Sequence, residues 1–169
     1  AMFTFLKRRR AELDARTRIG VELHRQIKEA FNQNELETST RLMTFFTAGY
    51  VYGFVRIGFF TLTGVSGDQA TDKHIRRICD GVLPNKLWEN LDRKLAALEI
   101  AKGMADQHKK LRGSDLTPAE AIKLFEDGTK IGFHDASFSE TFRGNWAHNL
   151  TRYLVGELDI ESFYKSFNE

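Results

Sequence analysis

Arg56 is the single charge in the stretch Leu42 to Leu62, LMTFFTAGYVYGFVRIGFFTL. Its guanidinium is always protonated and presents a planar fork of donors that suits a carboxylate or a phosphate. On a helix, Leu42, Phe45, Gly49, Gly53, Arg56 and Phe60 share one face. The two glycines make that face a groove, in which Arg56 would receive an anionic group while Tyr50 or Tyr52 orients it from the rim. The same residues also admit a purely architectural reading: Gly49-xxx-Gly53 lets a second backbone approach, and Arg56 pairs with an Asp or Glu.

Metal chemistry finds little support. His24, His74, His108, His134 and His148 show no HxxxH, HExxH or Glu-x-x-His spacing, and Cys79 is alone. No metal and no cofactor is expected. GxSxG, GxxxxGK[ST] and GxGxxG are all missing, so hydrolase, P-loop and dinucleotide-binding readings have no anchor. Gly64-Val-Ser-Gly67 precedes a helix and reads either as a connecting turn or as an anion-binding one.

One further pair has catalytic types. In Arg143-Gly-Asn-Trp-Ala-His148 an arginine and a histidine are separated by four residues. This resembles the active motif of HEPN-family ribonucleases, which are small all-α bundles. The resemblance implies a metal-independent endoribonuclease acting at a dimer cleft, with Arg143 stabilising the phosphate and His148 moving the proton. Gly144 follows the arginine, and the polar Asn145 stands one place later than in that family. On a continuous helix Arg143 and His148 would point about 140° apart, so convergence needs a partner subunit or a helix that starts late.

These residues need a scaffold, and its units read as helices. The first is expected from Phe5 to Asn32, with Leu13, Ile19, Leu23, Ile27, Ala30 and Phe31 on one face. Its Lys7-Arg8-Arg9-Arg10 cluster, with Arg16 and Arg18, follows Phe3, Phe5 and Leu6 and alternates with Glu12 and Asp14; it reads as a solvated face with internal ion pairs, or else as an amphipathic membrane-surface or nucleic-acid contact. A second helix is expected from Thr38, Ser39 or Thr40 to Leu62. A short third, capped by Asp68 or Thr71, carries Ile75, Ile78, Cys79 and Val82. Pro84 opens a fourth with Trp88, Leu91, Leu95, Leu98, Ala101 and Ala105, closed by Gly113. Thr117-Pro-Ala-Glu120 forms a capping box for a fifth, ending at Gly128 or Gly132. Ser137-Phe-Ser-Glu140 launches a sixth with Phe142, Trp146, Leu150, Tyr153 and Leu154, and Asp159 caps a last one with Phe163 and Phe167.

No segment alternates apolar and polar residues as a half-buried strand would. The chain has 169 residues, 41% hydrophobic and 28% charged, which fits one globular domain over 2–169 and excludes a disordered or fibrous chain. Ala1 reads as a tag remnant. The expected architecture is an all-α, single-domain bundle of six or seven helices around an aromatic-rich central helix. Leu42 to Leu62 would rise about 31 Å, enough to cross a bilayer. Arg56 and three threonines count against that, and the amphipathic helices need an apolar rod to cover. A net charge of +2 argues against a nucleic-acid coat. The lone cysteine favours a reducing, cytoplasmic setting. The function expected first is a non-catalytic helical module, possible as a homo-oligomer, that binds a protein partner or an amphipathic, anionic small ligand beside the central helix. The ribonuclease and a membrane-associated helical protein are the alternatives, and nucleic acid or membrane contact is expected only under them.

Overall fold

The computed structural model describes residues 2–65, 73–74, 76–78, 81–83, 89, 91–104, 108–144 and 147–167. Every regular element among them is helical: α1 (Met2–Gln33), α2 (Glu35–Arg41), α3 (Phe45–Thr63), α4 (Leu91–Lys102), α5 (Pro118–Ala136), a 3-10 turn (Ser139–Arg143), α6 (Asn149–Leu154) and α7 (Ile160–Lys165). The fold is all-α. Cys79, Pro84, Trp88, Ala105, Asn145 and Trp146 lie outside the described residues, and so do Asp68, Thr71 and Ile75 of the expected third helix, whose Ile78 and Val82 are described.

Two expected helices divide differently. Asn34, not a threonine, caps α2, its Oδ1 accepting from Glu37 N at 3.1 Å. The chain then turns at Leu42–Thr44, because Thr44 and Thr47 Oγ1 both donate to the Arg41 carbonyl, at 2.7 and 2.8 Å. Such side-chain bonds compete with the helix ladder for the same acceptor. The sixth helix likewise shrinks to the 3-10 turn and the short α6, since Gly144 takes φ 97° between them. The fourth helix, as described, ends at Lys102, well before Gly113.

Helix α3 is the interior element. Phe46, Tyr50, Val51, Phe54 and Val55 are fully buried. The helix is long and apolar enough to cross a membrane, and 61% of that window is buried inside the fold. Its closest neighbour is α5, which runs through Gly128 and Gly132 instead of stopping there. The reason is steric. A Cβ on Gly49 would sit 2.1 Å from the Phe125 carbonyl oxygen, and one on Gly53 2.3 Å from that of Thr129. Reciprocally, a Cβ on Gly128 would meet Phe46 O at 2.1 Å and one on Gly132 would meet Tyr50 O at 2.3 Å. Two glycine pairs at i, i+4 therefore interlock, and the order of the contacts makes α3 and α5 parallel. α1 crosses the other side of α3, with Ile19 against Gly58. Its buried face carries Ala15, Ile19, Leu23, Ile27 and Ala30 together with Glu22 and Gln26. Leu13, expected on that face, is exposed.

Candidate functional site

The glycine groove beside Arg56 is occupied by the protein itself. The backbone of α5 fills the notches at Gly49 and Gly53, so the expected ligand cleft on that face is corrected to a helix–helix contact. Tyr50 is not at a rim but wholly buried, and its hydroxyl donates to Asp135 Oδ2 at 2.6 Å. Burial, and then the Asp135 carboxylate, hold that phenol well above its ordinary range. Arg56 is exposed and lies along Tyr52, donating to its hydroxyl at 2.9 Å, with the guanidinium carbon 5.9 Å from the ring centre. Tyr52 packs in turn on Phe125. Of the five residues expected to form one site, three serve the core and two form a surface pair.

Arg143 ends the 3-10 turn and His148 precedes α6, so the two stand on different elements and not on one continuous helix. Both side chains are exposed, and among the described residues no hydrogen bond joins them.

A buried polar cluster, absent from the sequence reading, ties the long helices together. Asp135 of α5 accepts from Tyr50 of α3 and, through Oδ1, from Asn149 of α6 at 2.7 Å, with His134 Nδ1 3.2 Å away. Thr141 Oγ1 donates to the Asp135 carbonyl. Gln26 of α1 donates to the Tyr50 hydroxyl at 3.2 Å and accepts from Leu150 N at 3.1 Å. Alongside, Arg25 bridges Glu22 and the Ala147 carbonyl, each at 2.5 Å. These groups satisfy one another, which is the requirement for polar atoms in a core.

Open space with unsatisfied polar groups lies elsewhere, where α1 meets Lys73, His74, Arg77, Ile78 and Val82. One cavity of about 500 Å³ is lined by residues including Gly20, Val21, His24, Ile78 and Val82. A second, of about 230 Å³, is lined by Arg9, Glu12, Leu13, Arg16, Lys73, His74 and Arg77. Arg16 and Arg77 border both, so the two are halves of one groove. The smaller half holds four cationic side chains against one carboxylate, and Arg8 engages that carboxylate at 3.1 Å.

Two nitrogens in the smaller half, Arg16 Nη1 and His74 Nδ1, are buried without a hydrogen-bond partner among the described residues. His74 is only 8% exposed. Its ring stacks on Phe59 of α3 with centroids 4.7 Å apart, and its Nε2 is 3.8 Å from Glu12. Burial outweighs Glu12 and lowers the imidazole pKa, with Arg16 and Lys73 adding to the effect. The signal in the sequence was the row Arg9, Leu13, Arg16, Gly20, His24 at helical spacing. It reads as a solvated face until a second basic segment closes over it.

Among the described residues no three His, Cys, Asp or Glu side chains converge as metal ligands. No known protein family matches the chain, and no curated protein or solved structure is similar to it.

Proposed function

We propose that this protein is a helical module that binds an amphipathic anion in the groove between α1 and the residues Lys73, His74, Arg77, Ile78 and Val82. A phosphate-type or carboxylate head lies among Arg9, Arg16, Lys73, His74 and Arg77, and an apolar tail lies along Val21, Ile78 and Val82. The observation that carries the reading is the pair of buried, unpartnered nitrogens, Arg16 Nη1 and His74 Nδ1, beside an unbalanced positive charge. An unmet buried polar group costs about 1–3 kcal/mol; an anion accepts from Arg16 Nη1 directly and from His74 Nδ1 once the ring is protonated.

Gly20 supports the same reading. Inside a helix, glycine costs about 1 kcal/mol relative to alanine, and at the α3–α5 crossing a close backbone explains it. At Gly20 a Cβ would meet nothing within 4 Å. Its missing side chain leaves room in the groove and serves no contact of the fold.

Octyl phosphate is the probe, titrated calorimetrically beside octanol and inorganic phosphate. Tight binding is expected only for the molecule with both parts. Arg16→Met should weaken it at least tenfold, since a charged hydrogen bond contributes about 1.5–3 kcal/mol. Gly20→Leu should abolish binding while raising the unfolding midpoint. Equal binding by Gly20→Leu and the parent would contradict the site.

The pH dependence has a definite sign. His74 is held neutral by burial, and an anion favours its protonated form, so for a head group of fixed charge, such as octyl sulfate, binding takes up a proton and strengthens as pH falls.

A further inference from the structure

The first three turns of α1 stand clear of the core. No residue from Met2 to Ala11 is even half-buried, and the first buried position of the helix is Ala15. Within this arm the residue types separate along the axis and not across it. Met2, Phe3, Phe5 and Leu6 make an apolar first turn, with exposures of 75, 79, 63 and 54%. Lys7, Arg8, Arg9 and Arg10 follow directly. Successive residues step about 100° around a helix, so these four encircle it as a cationic collar. The expected internal ion pairs form only in part: among the described residues Arg8 pairs with Glu12, and none of the other three collar residues is paired.

Axial segregation selects the occupant. A protein groove or a second helix reads one face, and a second copy placed tip to tip would bring two collars together. A nucleic acid would use the collar and leave four large apolar side chains in water. An anionic bilayer presents phosphates over an apolar interior, the same order in depth as collar and tip.

We infer that the N-terminal turn of α1 docks on anionic lipid bilayers, with Met2, Phe3, Phe5 and Leu6 in the interfacial region and Lys7 to Arg10 on the lipid phosphates. This contact adjoins the groove, and Arg9 is the one residue common to both. It places the groove mouth, which shares Arg9 with the collar, close to a surface made of amphipathic anions.

The test is flotation of the full chain with vesicles of phosphatidylcholine alone and of phosphatidylcholine with one quarter phosphatidylglycerol. Binding to the anionic vesicles only is expected, weakening as salt rises. Phe3→Ser/Phe5→Ser should reduce it at least tenfold, and Lys7→Gln/Arg10→Gln about thirtyfold, at about one kcal/mol per charge. Both pairs are exposed, and an unchanged melting curve shows that the fold survives. Gly20→Leu, which closes the groove, should float like the parent, so failure of the groove and failure of the arm are distinguishable. The inference is overturned by equal binding to both vesicles, by none, or by full binding of Phe3→Ser/Phe5→Ser. Loss of binding in Gly20→Leu would also overturn it. So would a dimer that Phe3→Ser/Phe5→Ser dissociates, or RNA binding indifferent to that change, if either occurs without vesicle binding.

Discussion

Gly128→Ala is expected to lower stability by about 3 kcal/mol, although alanine is the better helix former by about 1 kcal/mol. The added Cβ would lie 2.1 Å from the Phe46 carbonyl oxygen and 2.8 Å from Tyr50 N, both backbone atoms of the most buried helix. Neither can rotate away as a side chain would. α5 must withdraw as a rigid rod, and its partner notches at Gly49 and Gly53 then lose their contacts too. With total stabilities of about 5–15 kcal/mol, such a loss removes a large share. Gly20→Ala is the matched control. It has open space around it, so it should gain up to about 1 kcal/mol. Urea denaturation of the two variants reads both signs, and an unchanged midpoint for Gly128→Ala would refute the interlocked glycine crossing.

Asp135→Ala should cost about 3–5 kcal/mol by a different mechanism. The substitution leaves a small void, but its main effect is to strip acceptors from Tyr50, which is fully buried, and from Asn149. Gln26 can take over the tyrosine proton only weakly, at 3.5 Å. Tyr50→Phe removes one donor and leaves Asp135 with Asn149 and His134, so its cost should be smaller, about 1–2 kcal/mol. A double-mutant cycle measures the coupling, and additive losses would show that the two residues do not act together. The same bond fixes the alkaline behaviour. Tyr50 has a folded-state pKa raised above its unfolded value near 10, so its contribution is intact below about pH 10 and is lost as pH rises further.

The helical class and the central place of the aromatic segment were legible because they rest on local signals. The Thr117 capping box is present with both of its bonds, at 2.7 and 3.3 Å, and Asp159 caps the last helix. Gly49 and Gly53 were legible as a place of close approach, but what approaches was not. Their partners, Gly128 and Gly132, looked like helix ends, because a glycine that breaks a helix and one that admits a neighbour carry the same letter. Tyr50 and Asp135 lie 85 positions apart, a pairing without local pattern. The groove escaped for the same reason. Arg16 sits on a visibly charged face of α1, and only the approach of His74 and Arg77 turns part of that face inward.

The groove rests on His74 being a neutral, buried imidazole in the free protein that gains a proton, and with it a donor at Nδ1, when an anion arrives. Its ring nitrogens can be followed by NMR through a pH titration, with and without saturating octyl phosphate. The account requires a midpoint below the ordinary histidine range in the free protein and a clear upward shift with the ligand. A His74 midpoint that is the same in both titrations, with octyl phosphate demonstrably bound, would contradict it.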